Sequence, residues 1–177
     1  PDLDPRIRML RLPHNMGKAA AVQIAADQTK TPILACLDAD LVVTSADWKP
    51  MLSRFVMNSR LAAVTGAIHP GQCRRLIQFI QALDYLIVIN FVKRAEEQWG
   101  ALMTISGAWV AYRVEAVKDC GGWNSDSCTE DIDLSWRLQG KGWQLEFADD
   151  WHARVEMAPS WKSLWLQRSR WSAGLGR

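Results

Sequence analysis

Glu130, Asp131 and Asp133 fall within four positions of one segment, CTEDIDLSWRLQGKGW, which runs from Cys128 to Trp143. Carboxylates this close together suit two roles. One is a helix start: Ser127 and Glu130 fit an S-x-x-E box with Ser127 as N-cap, and acids in a first turn offset the positive end of the helix dipole. Asp133 and Arg137 are then four apart and can pair, and Gly140 and Gly142 supply a stop. The other role is proton transfer, for which a positioned carboxylate serves as base. A helix start does not require Asp131, so that residue is the candidate for chemistry.

Two more carboxylates flank Ala39 in LDADL. Asp38 and Asp40 directly follow the apolar run Pro32–Leu37, and neighbouring acids repel unless a positive charge lies between them. Mg²⁺ or Mn²⁺ fits, because such an ion takes one or two protein carboxylates and completes its shell with phosphate oxygens and water. A solvated turn is the structural alternative. A chemical rival also exists, since an apolar strand followed by D-x-D-x-[TV] is the nucleophile signature of haloacid-dehalogenase-type phosphatases. Near the end, LWLQRSRWSAG sets Gln167, Arg170 and Trp171 at i, i+3 and i+4, on one face of a helix. Arg170 can hold a phosphate through its planar fork, and Trp171 offers a flat surface for a sugar ring. A packed helix with a snorkelling arginine is the plainer account.

The order D-x-D, T-E-D, Q-x-x-R-W has no use in a phosphatase. It resembles the processive family 2 glycosyltransferases, which include cellulose, hyaluronan and poly-N-acetylglucosamine synthases. NMGKAAA, LDAD, VTGAI, FVKRAEEQWGALMTISGAWVAYR, TEDIDLSWRLQ and LWLQRSRWSAG look most like the bacterial poly-β-1,6-N-acetylglucosamine synthases, over nearly the whole chain. The resemblance implies a GT-A-like nucleotide-sugar-binding fold in a single, partial catalytic domain over residues 1–177, its N-terminal strand missing. It implies Asp131 as general base, Glu130 in support, Asp40 on a Mg²⁺ or Mn²⁺ ion, and Asp38 at the uridine or the metal. Lys18, Arg170 and Gln167 would contact the nucleotide and its diphosphate. Trp171, Ser106 and Gly107 would line the acceptor side. The implied partners are a UDP-sugar donor, a glycan acceptor and the inner membrane, reached through spans this sequence lacks, with a small membrane subunit as a potential companion. The catalytic domain would face the cytoplasm. In the poly-N-acetylglucosamine branch a Pro-Arg pair follows VTG, whereas AIHPGQCRR stands here, which leaves donor sugar and linkage open. Other family 2 transferases, processive or not, and an inactive UDP- or glycan-binding domain are the alternatives.

These side chains need a scaffold. Pro32–Leu37 reads as a buried strand, as does LAAVTGAI, and SGAWVAYR and WQLEFA read as two more. RIRMLRL (Arg6–Leu12) alternates and reads as a strand. Helices are expected after NMGK, from about Ala46 to Asn58, from about Arg74 to Ala95, in VEAVKDCGG, after Thr129, and from about Ser160 to Ala173. Strands alternating with helices predict an α/β fold with a mainly parallel sheet, whose ligands sit beyond the carboxyl ends of the strands. The apolar stretch Leu76–Val92 contains Gln78, Gln81, Asp84 and Asn90 and is short for a membrane span, so it reads as a buried or interfacial helix. Trp109, Trp123 and Trp136 read as core.

The 177 residues carry a net charge of +2, with 49% hydrophobic and 23% charged residues, ordinary for a globular domain and too little charge to imply nucleic acid. Four cysteines without C-x-x-C spacing and three scattered histidines give no zinc pattern and no call for disulfides, which suits a reducing compartment. The chain opens at Pro1 and ends at Arg177 directly after a helical pattern, as a segment of a longer chain would.

Overall fold

The computed structural model describes residues 4–44, 47–100, 102–127 and 129–175. Cys128, where the acidic segment opens, and Ala46, the expected start of the second helix, lie outside them. The elements run α1 (Gly17–Asp27), β1 (Ile33–Leu37), β2 (Leu41–Val43), α2 (Lys49–Met57), β3 (Leu61–Pro70), α3 (Leu76–Asp84), a π-helical stretch (Tyr85–Val92), α4 (Lys93–Gln98), β4 (Trp109–Arg113), α5 (Val114–Asp119), α6 (Glu130–Gly140), β5 (Gln144–Val155) and α7 (Trp161–Leu175).

The strands form one five-stranded sheet in the order β1-β4-β3-β5-β2. The expected α/β fold is present, and the sheet is mixed. At its centre β3 and β5 pair in parallel, while β4 runs against β1 and β3, and β2 against β5. Thus β1, β3 and β5 share one direction. Leu61 to Ile68 are all buried, the mark of a central strand covered on both faces. Side chains of β4 alternate between two cores. Val110 and Tyr112 join Ala63, Val117, Leu134, Leu138 and Phe147 on the side of α5 and α6. Trp109 and Ala111 join Met51, Phe55, Val64, Tyr85 and Trp151 on the other.

Gly66 is required where β3 bulges against β5: a Cβ there would lie 2.3 Å from the Trp109 ring and 2.4 Å from the Trp151 carbonyl. Trp109 and Trp151 stack above it with centroids 3.8 Å apart.

Three expectations need correction. Arg6–Leu12 is not a strand; it pairs with no strand among the described residues, and alternation alone does not make a ladder. Trp136 is 56% exposed on α6, whereas Trp109 and Trp123 are buried. The helix from Leu76 is continuous through Gln98, 23 residues in all, long and apolar enough to cross a membrane by length and composition. Its inner face is nevertheless fixed to the sheet side of the protein. Buried Gln81 bonds Ala158 through both its oxygen and its nitrogen, and buried Asn90 donates to the Ile68 carbonyl at 2.9 Å.

Candidate active site

Asp38 and Asp40 stand where the sequence predicts, just past the carboxyl end of β1. The Asp38 amide donates to the Ala108 carbonyl at 3.0 Å, and the Glu156 amide donates to the Asp40 carbonyl at 3.1 Å. The turn is thereby fixed from two sides, with the Asp40 carboxylate exposed and that of Asp38 half-buried.

Lys18 enters from the first turn of α1. Gly17 precedes it at φ +81°, a conformation suited to glycine, and its amide is capped by Asn15 Oδ1 at 3.0 Å. Lys18 Nζ lies 2.6 Å from Asp38 Oδ1 and 3.5 Å from Glu130 Oε1, and donates to the Gly107 carbonyl at 3.2 Å. Burial works against its charge. The hydrogen bond to Asp38 and the charges of Asp38, Glu130 and Asp131 outweigh that and hold Lys18 above its ordinary pKa. One ammonium therefore ties together the β1 end, the segment before β4 and the start of α6.

Helix α6 begins at Glu130 with Thr129 in the N-cap position, so Ser127 is not the cap. Ser127 Oγ instead accepts from the Thr129 amide at 3.2 Å, one step too early to reach the helix. Asp133 and Arg137 pair as expected, at 2.6 Å. Asp131 turns away from that pair. Its Oδ2 accepts from the Gly107 amide at 2.8 Å and its Oδ1 from the Ile132 amide at 2.9 Å. Ser135 Oγ donates to the Asp131 carbonyl at 2.6 Å and accepts from the Ile105 amide at 3.1 Å. Ser106 is held next door, its amide donating to Thr65 Oγ1 at 3.2 Å.

Lys18, Asp38, Asp40, Ser106, Glu130 and Asp131 line a cleft of about 780 Å³ that Gln167, Arg170 and Trp171 of α7 also line, as the i, i+3, i+4 spacing predicts. Gly107 lies just behind its wall. A cavity of this size fits a small-molecule ligand site. A second cavity, about 170 Å³ between α1 and α5, contains none of these groups. Cys36, Cys73 and Cys120 are free thiols, and burial pushes Cys36 up to about 11, which keeps it protonated and unreactive.

Sequence reasoning missed the opposite wall. Asp84, Tyr85, Val88, Ile89, Val92, Lys93 and Glu96 all line the cleft from the helix through the π stretch. Asp84 pairs with Arg168, whose guanidinium sits 4.3 Å over the Trp171 ring and so steadies that platform. Of the polar residues that interrupt the apolar stretch only Asp84 lines the cleft; the lining positions 84/85, 88/89, 92/93 and 96 recur about every four residues, which is one face of a helix.

A family model described as Glycosyl transferase family group 2 matches residues 33–176. Over 92% of its length the chain is 32% identical to a poly-beta-1,6-N-acetyl-D-glucosamine synthase of Staphylococcus aureus (strain COL), of which it covers 40%. A protein of the same name from Staphylococcus epidermidis is 32% identical over 90% of the chain and 39% of that protein. The chain thus spans about two fifths of the length of these curated relatives. Among solved structures, the mannosyltransferase PcManGT from Pyrobaculum calidifontis, in complex with GDP-Man and Mn²⁺, superposes with a TM-score of 0.67 at 19% identity, over 90% of this chain and 41% of that one. That likeness concerns the fold, which is of the GT-A glycosyltransferase type. Because the family match runs from the first strand of the sheet to the last helix of the cleft, this chain belongs to glycosyl transferase family group 2.

Proposed function

We propose that this chain carries the catalytic centre of an inverting glycosyltransferase that moves N-acetylglucosamine from a UDP donor to the end of a β-linked polysaccharide. One observation carries the reading: the three motifs, far apart in sequence, converge on one cleft. The kinship with poly-β-1,6-N-acetylglucosamine synthases supports the choice of sugar.

Asp131 takes the proton from the acceptor hydroxyl as that oxygen bonds to the anomeric carbon. The bond from this carbon to the diphosphate oxygen breaks and UDP leaves. A single displacement of this kind converts an α-linked donor into a β-linkage. The Gly107 and Ile132 amides orient the carboxylate for the task. Lys18, Arg170 and Gln167 bind the nucleotide diphosphate, Arg170 through its fork. Trp171 stacks on the terminal acceptor sugar, with Ser106 and Glu130 around it and Gly107 supporting that wall from behind.

Asp38 and Asp40 suit a Mg²⁺ or Mn²⁺ ion shared with the donor. Among the described residues no group of three or more His, Cys, Asp or Glu side chains is gathered to hold a metal. That agrees with a cation whose remaining ligands are phosphate oxygens and water. Bound there, the ion would offset charge on the departing diphosphate. We place the full-length protein in the cytoplasmic membrane with this region facing the cytoplasm. The outer face of the helix Leu76–Gln98 favours that: Phe79, Leu83, Ile87 and Phe91 are each more than half exposed.

The test is Asp131→Asn in the full-length protein, with polymer formation from UDP-N-acetylglucosamine, UDP affinity and melting temperature as readouts. Melting and UDP binding stay close to wild type, and synthesis falls by about two to four orders of magnitude. Near-normal synthesis would return the acidic segment to a helix start and nothing more.

A further inference from the structure

Lys93 is a lysine where a lysine is costly. It is 7% exposed, sits at the end of the π stretch and lines the cleft. Its ammonium donates to the Thr104 carbonyl and, at 3.4 Å, to Thr104 Oγ1. Both partners are neutral, and among the described residues no carboxylate lies within ion-pair distance of it. Burial pushes its pKa down, against the pull of Glu96 and Asp131. A buried ammonium held only by neutral groups opposes folding, so its charge calls for another use.

That use follows from what it holds. Thr104 begins a segment of four residues that is fixed from four elements, α1, α4, α6 and β3. Lys93 holds Thr104, Ser135 of α6 holds Ile105, Thr65 of β3 holds Ser106, and Gly107 bonds Asp131 and Lys18. The far end of this segment orients the Asp131 carboxylate. Asp131 also shares the cleft with Glu130, Asp38 and Asp40. Lys18 is engaged by Asp38 and Glu130.

We propose that Lys93 is a positioning residue for glycosyl transfer: it fixes the Thr104–Gly107 segment against Asp131 and supplies a buried positive charge to that corner of the cleft. The inference rests on Asp131 as the base. The titratable and charged groups around Asp131 are Glu130 on its own helix, Asp38, Asp40 and Lys18 across the cleft, Tyr112 of β4, Asp84 and Tyr85 on the helix from Leu76, Glu96 and Lys93 of α4, and Arg168 and Arg170 of α7.

The experiment uses the full-length protein and three variants besides wild type. Asp131→Asn, assayed alongside, tests the base by itself; if it synthesises polymer normally, that reading fails whatever Lys93 does. Lys93→Gln keeps a hydrogen-bond donor for Thr104 and removes the charge. Lys93→Arg keeps the charge. For Lys93→Gln, kcat falls by at least about tenfold while UDP affinity stays within about twofold. Loss of a positive charge raises the pKa of a nearby carboxylate, so the acid limb of its kcat–pH profile moves to higher pH. Lys93→Arg recovers most of kcat and returns the limb toward wild type. An unchanged kcat and pH profile in Lys93→Gln overturns the proposal. So does a loss of UDP affinity that accounts for the whole loss of activity, since Lys93 would then be a donor ligand.

Discussion

Gly107 and Asp131 are packed so closely that a single methyl group has nowhere to go. A Cβ on Gly107 would lie 2.9 Å from Asp131 Cβ and 3.0 Å from Oδ2, the oxygen its own amide holds. The φ of Gly107 is not in the left-handed region, so alanine is tolerated by the backbone and its effect is a push on Asp131, the proposed base. Gly107→Ala therefore lowers kcat by about a hundredfold, as expected for a reacting group displaced by near an ångström. UDP affinity, measured by calorimetry, stays near wild type. Asp131, Asp38 and Arg170 could be singled out in the sequence because chemistry restricts residue type and spacing, and all three line the cleft. Lys93, Asp84 and Arg168 could not, since a lysine or a salt bridge in a helix has the same appearance whether it faces solvent or a cleft. The Ser127 cap failed for a related reason: Thr129 also fits an N-cap, and only the backbone decides between them.

Among the elements, the β3–β5 pair carries two facing histidines that respond to pH. At the bulge His69 Nε2 lies 3.0 Å from His152 Nδ1. Burial, then the charges of His152, Arg154 and Arg94, hold His69 below its ordinary value of 6.5. The unfolded chain therefore takes up this proton before the folded one does, so the contribution is present above pH 6.5 and is lost as pH falls through the lower, folded value. Melting temperature drops as pH goes from 7 toward 5, and His69→Asn flattens that drop. The helix Leu76–Gln98 supports a different prediction. Its outer apolar face is bordered by exposed Arg74 and Arg75 at one end and exposed Arg94 at the other. Phe79→Glu with Phe91→Glu leaves melting nearly unchanged, because both side chains are exposed. The same pair weakens binding to vesicles containing anionic lipid, measured by co-sedimentation. Strands β1, β3, β4 and the start of β5 were legible as apolar runs bounded by turns; β2, only three residues long, and the continuation of β5 to Val155 were not. The mixed strand directions were not legible either, because pairing depends on residues far apart in the chain. The π stretch was also invisible, since Tyr85–Val92 has the composition of an ordinary helix.

At the scale of the whole molecule, the cleft draws on α1, the β1–β2 turn, the helix through the π stretch, the segment before β4, α6 and α7. On the proposed reading, Asp38 and Asp40 meet the donor through a shared cation. UDP accordingly binds the full-length protein with Mg²⁺ or Mn²⁺ present and weakly in EDTA; equal affinities by calorimetry would remove the metal from the account. The central parallel pair has a consequence in time as well as in space. Ala63 pairs with Leu145, about 80 residues further along, and such a loop must lose its freedom before the contacts that reward closure exist. Folding of this topology is slow compared with helical bundles of similar size. Lys18 reaches Glu130 and Gly107 only after those distant segments have met, so nucleotide affinity should be the last property to return on refolding, in step with the slowest kinetic phase and well behind helical circular dichroism.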